Sequence, residues 1–156
     1  MTFGRDVTLE DLQRDGYEAV FLAVGCPEGM KLDCPGAEAE GVVDAVQFLR
    51  DLALYREPKL GQRVAVIGGG DTAIDSARSA LRLGADEVHL VYRRTLDEMP
   101  AHPKEIEEAA HEGIQFHFLA APKEVLVEDG RVAGLVCQRM TLGDFDRSGR
   151  RRPVPV

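Results

Sequence analysis

Residues 64 to 73 read Val-Ala-Val-Ile-Gly-Gly-Gly-Asp-Thr-Ala, a short apolar run that empties into three glycines and then into helix-forming sequence. Gly68, Gly70 and Ala73 fit the spacing G-x-G-x-x-G/A. The first glycine permits a tight turn, the second lets backbone approach a pyrophosphate, and the third position must be small so that helix and strand pack closely. A phosphate there, held by Gly69, Gly70, Asp71 and Thr72, would meet the free N–H groups and positive dipole end of the helix that follows. About 20 residues on, where an NAD site places an acid for the ribose 2′-hydroxyl, the chain has Arg93 and Arg94. Guanidinium groups pair with a 2′-phosphate, so the spacing predicts NADPH rather than NADH.

Other chemistry-bearing patterns are weaker. Tyr55 and Lys59 have the Tyr-x-x-x-Lys spacing of short-chain dehydrogenases, but they precede the glycine turn instead of following it. Glu108 and His111 have di-iron helix spacing without a second such pair. His89, His102 and His117 fall on different expected elements and read as surface or satisfied core residues. No Gly-x-Ser-x-Gly or Gly-Lys-Ser/Thr motif occurs. A cofactor site without a visible catalytic residue fits chemistry carried by a second cofactor such as a flavin. S-adenosylmethionine enzymes also use a glycine turn, yet they too usually want an acid where this chain has arginines.

The elements that must position these residues follow from periodicity. Thr8 caps a short helix that stops at Gly16, and residues 17 to 24 form an apolar run expected as a strand buried on both faces. Residues 25 to 41, with four glycines and with Pro27 and Pro35, read as an irregular connection or hinge. Asp44 caps an amphipathic helix through Ala45, Phe48, Leu49 and Leu52 that ends near Pro58. A strand at 64 to 67, a helix from Thr72 to Leu83 stopped by Gly84, and a strand at 87 to 92 make a right-handed βαβ unit. The helix buries Ala73, Ala77, Ala80 and Leu81. A helix from Pro103 to about Glu112 and a strand at 114 to 119 extend the order to β-α-β-α-β, as in a doubly wound sheet. Asp129-Gly130 between apolar runs is a hairpin signal, followed by a polar turn at 143 to 149 and a third strand at 150 to 156. The expected fold is a three-layer α/β, Rossmann-like domain with a parallel central sheet and an antiparallel β-meander near the C-terminus.

Bulk properties narrow the function. With 156 residues the chain has room for one ordinary domain, and a formal charge of −8 disfavours a nucleic-acid partner. No run reaches the roughly 20 apolar residues of a membrane span, and no signal-peptide pattern is present, so the expected location is cytoplasmic. Cys26, Cys34 and Cys137 lack Cys-x-x-Cys spacing and read as free thiols.

Taken together, residues 64 to 75, Val-Tyr-Arg-Arg-Thr (91 to 95), Glu-Met-Pro-Ala (98 to 101) and Phe-Leu-Ala-Ala-Pro (118 to 122) resemble the NADPH-binding part of the glutamate synthase small (beta) subunit family, which includes the equivalent part of dihydropyrimidine dehydrogenase. Residues 17 to 25 are similar to the strand that leads from that family's FAD domain toward its NADPH domain. The resemblance implies a division into residues 1–41, a trailing piece of an FAD domain with its linker, and residues 42–156, the NADPH domain. It implies a central fragment of a larger FAD-dependent, iron-sulfur oxidoreductase, whose FAD and iron-sulfur segments lie outside this chain. Gly68 to Ala73 would hold the pyrophosphate, Arg93 and Arg94 the 2′-phosphate, and Gly25 would lie near the FAD junction. A large catalytic subunit is an implied partner, no metal ligand is assigned, and this chain alone is expected to bind NADPH without catalysis. The competing readings are a stand-alone dinucleotide-binding or sensing module and a thioredoxin-reductase-like flavoprotein, the latter opposed by the missing Cys-x-x-Cys pair.

Overall fold

The computed structural model describes residues 2–26, 28–56 and 58–156. Pro27, expected in the connection, and Glu57, within the Tyr55 to Lys59 pattern, lie outside the described residues. Helix α1 (Leu9–Arg14) opens on Thr8, whose hydroxyl accepts from the Asp11 N–H while the Asp11 carboxylate accepts from the Thr8 N–H. Helix α2 (Ala45–Ala53) is capped by Asp44, which accepts from the Gln47 N–H at 2.9 Å.

Strands β1 (Arg63–Ile67), β2 (Glu87–Tyr92) and β3 (Gln115–Phe118) form a parallel sheet in sequential order. Val66 pairs with Leu90, and Leu90 with Phe116. Helix α3 (Asp71–Arg82) crosses from β1 to β2, and helix α4 (Pro103–His111) from β2 to β3. Because both crossovers step in the same direction, right-handed connections put both helices on one face. Arg78 of α3 accordingly bonds Glu105 and Glu108 of α4, and Glu112 just beyond it. Under them lies the core. Ile74, Ala77, Ala80, Val88, Leu90 and Ala109 are all essentially inaccessible, and the alanines let α3 approach the sheet closely. The β-α-β-α-β order is as expected, but the described residues hold helices from one direction of winding only. Gly84 and Gly113, both with positive φ, end the two helices.

Leu119, at φ +51°, turns the chain from β3 into an antiparallel sheet of β4 (Ala120–Glu128), β5 (Arg131–Phe145) and β6 (Arg151–Pro155). Asp129 and Gly130 both have positive φ, as a two-residue hairpin with the strands' own twist requires. Strand β5 runs past residue 143, so the polar turn is tighter than expected and occupies residues 146–150.

Two expectations for the first 41 residues need correction. Residues 17 to 24 form no strand: Phe21 is 92% and Val24 77% exposed. An apolar run becomes a strand only when a ladder receives it, and among the described residues β1, β2 and β3 pair only with one another. The connection after it is irregular, yet it is no free hinge. Pro35 O accepts from the Val125 N–H, Gly130 O from the Glu40 N–H, and Glu40 O from the Val132 N–H, which straps residues 35–40 along the β4–β5 hairpin.

Candidate functional site: a glycine turn and two arginines with different partners

The three glycines sit where β1 passes into α3, and each is glycine for a separate reason. Gly68 has φ +140°, a conformation that L side chains rarely adopt, and a Cβ there would lie 3.2 Å from the Cβ of Ala73. Gly69 is buried on the Tyr92 ring, so that any Cβ would fall 2.6 Å from ring carbons. Gly70 is the N-cap of α3 and supplies no side-chain acceptor. This sets α3 apart. Thr8, Asp44 and His102 cap the other three α-helices, while the first-turn N–H groups of α3 have no such partner. An unblocked helix start with its dipole is an anion site.

The turn is backed by a loop that sequence reasoning did not connect to it. The Tyr92 hydroxyl donates to the Glu98 carbonyl at 2.7 Å, the Ala101 N–H donates to the Gly69 carbonyl, and the His102 N–H donates to the Asp71 carboxylate at 2.9 Å. Asp71 therefore spends its side chain on residues 95–102, not on the space in front of the turn. Thr95 and Glu98 close a capping box at the start of the short 3-10 turn Leu96–Glu98, and the bonds from Thr95 hold the Glu98 carboxyl below the usual range. The Glu-Met-Pro-Ala signature is thus a clasp over the glycine turn. Its legible hint was the spacing of Thr95 and Glu98.

Arg93 and Arg94 leave the end of β2 in opposite circumstances. Arg93 is exposed and has no hydrogen bond or ion pair among the described residues. Arg94 is 5% exposed; its Nε donates to the Arg151 carbonyl at 2.6 Å, and Nη2 meets the Asp146 carboxylate at 2.7 Å. Its carbonyl also accepts from the Leu119 N–H. Asp146 in turn accepts from the Ser148 hydroxyl and N–H and from the Arg150 N–H. These bonds, led by Ser148 and helped by the Arg94 charge, pull its carboxyl down to about 2 against a smaller burial effect. The two arginines expected to act together are divided, one toward solvent and one into the antiparallel sheet.

The structure brings together Gly68, Gly69, Gly70, Thr72 and Ala73, with Arg93 at the neighbouring strand end. It does not bring Gly25 to them. Gly25 is exposed at φ +65° in the extended segment, and no hydrogen bond among the described residues links it to the turn. Glu108 pairs with Arg78, which answers the di-iron spacing. Cys26, Cys34 and Cys137 are free thiols, and among the described residues no helix is long and apolar enough to cross a membrane.

Comparison with known proteins gives the family and the fold. The NADP(+)-dependent formate dehydrogenase subunit beta of Moorella thermoacetica is 52% identical over 156 residues, covering 98% of this chain and 22% of that protein. The glutamate synthase (NADPH) small chain of Halomonas elongata is 41% identical over 163 residues, covering 98% of this chain and 34% of that one. The chain thus spans about a fifth to a third of the length of these relatives. FprA from Mycobacterium tuberculosis shares the fold, with a TM-score of 0.81 at 23% identity over 99% of this chain and 50% of that one. Residues 2–146 match the family described as pyridine nucleotide-disulphide oxidoreductase. On that match, the chain belongs to the pyridine nucleotide-disulphide oxidoreductase family.

Proposed function

We propose that this chain is the NADPH-binding unit of a larger flavin-dependent, iron-sulfur oxidoreductase, with residues 42–156 as the NADPH domain and residues 1–41 as the end and linker of an FAD domain. The observation that carries it is the uncapped start of α3 behind Gly68–Gly70, with the unpartnered Arg93 one strand away. The pyrophosphate would take the N–H groups at Gly69 to Thr72, and the close contact of Gly68 with Ala73 keeps that approach clear. Arg93 would meet the 2′-phosphate. Arg94, held by Asp146 and the Arg151 carbonyl, would act as a positioning residue that fixes the direction in which β2 delivers Arg93. When bound, NADPH supplies a hydride for a flavin; this chain's part is to bind and orient the dinucleotide. Relatives named as a beta subunit and a small chain support a larger subunit as a partner; the FAD and iron-sulfur segments and a cytoplasmic setting complete the same reading.

Calorimetric titration of the chain with NADPH and NADH tests the reading. NADPH is expected to bind about 10- to 100-fold more tightly, from one to two charge-assisted contacts. Arg93→Ala should remove most of that ratio while leaving NADH affinity unchanged. Equal affinity for the two dinucleotides in the unsubstituted chain overturns the reading.

A further inference from the structure

We propose that His89 and His117 form a two-histidine site for a divalent metal of the nickel or copper class, on the face of the parallel sheet away from α3 and α4. Alternation puts Val88 and Leu90 under the helices and turns Glu87 and His89 to the other face. In the parallel register His89 stands beside Gln115, and His117 is the next residue of β3 on that same face. The two rings, on different elements in the sequence, come within hydrogen-bond reach: His89 Nδ1 and His117 Nε2 are 3.0 Å apart. His89 is partly accessible and His117 is exposed.

Three features favour a metal over a mere contact. The Glu87 carboxylate lies 3.4 Å from His89 Nε2, which favours the proton on that nitrogen and leaves the Nδ1 lone pair facing His117. Histidine ligands are commonly oriented by such a carboxylate on the far ring nitrogen. The separation also suits a particular geometry. Two metal–nitrogen bonds of about 2.1 Å at a right angle put the nitrogens roughly 3.0 Å apart, whereas a tetrahedral angle needs about 3.4 Å. Square-planar and tetragonal sites of nitrogen and oxygen, built on such right angles, suit Ni(II) and Cu(II). Finally, both rings stand on paired strands, which hold their spacing better than loops do. Among the described residues no third histidine, cysteine or carboxylate completes a cluster, so water fills the remaining positions.

The proton balance closes. With His89 protonated on Nε2, His117 Nε2–H donates to His89 Nδ1 in the metal-free pair. On binding, that proton leaves Nε2 and the ring is reprotonated at Nδ1 through solvent. The metal keeps its oxidation state, and its charge is balanced by Glu87 and solvent anions. The bound ion clips the edge strand β3 to β2.

Calorimetric titration with Ni(II) at neutral pH is expected to give one ion per chain. His89→Gln and His117→Gln should each weaken binding at least 10-fold, while His111→Gln, which alters an exposed histidine at the end of α4, should leave it unchanged. In the unsubstituted chain, which removes any question of folding, Ni(II) should broaden the imidazole NMR signals of His89 and His117 before those of His102 and His111. No saturable binding below millimolar Ni(II), affinity unchanged by His89→Gln and His117→Gln, or first broadening at His102 or His111 overturns the proposal.

Discussion

Arg93 and Arg94 are the same residue type, one position apart at the end of one strand, yet they belong to two different regions. One stands free beside the glycine turn; the other is locked into the antiparallel sheet through Asp146 and the Arg151 carbonyl. The first region is held open, with a helix start that has no side-chain cap and a cation unpaired among the described residues. The second is saturated, since Asp146 accepts from Ser148, Arg150 and Arg94 together. The lesson is that charge near a phosphate site has no fixed role until its other partners are counted. Binding needs unmet hydrogen-bonding capacity, and structure uses up the same capacity.

Substitutions can break or sharpen that contrast. Gly69→Ala should have the largest effect, because its Cβ lands 2.6 Å from the buried Tyr92 ring. Overpacking of this kind costs about 2–3 kcal/mol, read as a lowered midpoint in denaturant and loss of dinucleotide binding. Adding Tyr92→Leu should recover part of the stability, which would mark the clash as the cause. Next, Arg94→Ala should lower the melting temperature by several degrees, because it strips Asp146 of its cation and the Arg151 carbonyl of a donor. If it instead abolished discrimination between NADPH and NADH with stability unchanged, the division between the arginines would fail.

The Asp146 carboxyl supplies a pH window for the same Arg94–Asp146 pair. Its value of about 2 lies below the ordinary carboxylate value of about 3.9. A depressed carboxylate contributes stability that is present above the ordinary value and is lost as pH falls through the folded one. Acid unfolding should therefore steepen between about pH 4 and pH 2, and Asp146→Asn should flatten that limb. The smallest effect belongs to Phe21→Ser. At 92% exposure this change should move stability by no more than about 0.5 kcal/mol, and a fall of several degrees would show that residues 17 to 24 pack after all.

Much of the fold was legible because its signals are local. Thr8 with Asp11, Asp44, Gly84, Gly113 and Asp129-Gly130 each fix a boundary by the chemistry of their nearest neighbours, and Gly68 with Ala73 marks the turn in the same way. What was not legible depends on distant partners. Nothing near Arg94 announces Asp146, and nothing near Gly69 announces the Tyr92 ring. The run at 17 to 24 shows the reverse case: its composition states a demand for a sheet but cannot say whether these residues meet one. His89 and His117 meet only because the register of β2 and β3 aligns them.

The strap formed by residues 35–40 has a kinetic consequence. Glu40 bonds Gly130 and Val132, so this one contact closes a loop that contains α2, the entire parallel sheet and both helices that cover it. The entropy of closing so long a loop is met only after local structure has shortened the effective chain. The β4–β5 hairpin and the two βαβ crossovers can form from near neighbours, whereas the strap must wait for both. The contact farthest apart in sequence is then the last to form, and it is what makes residues 35–40 part of one cooperative unit with the hairpin.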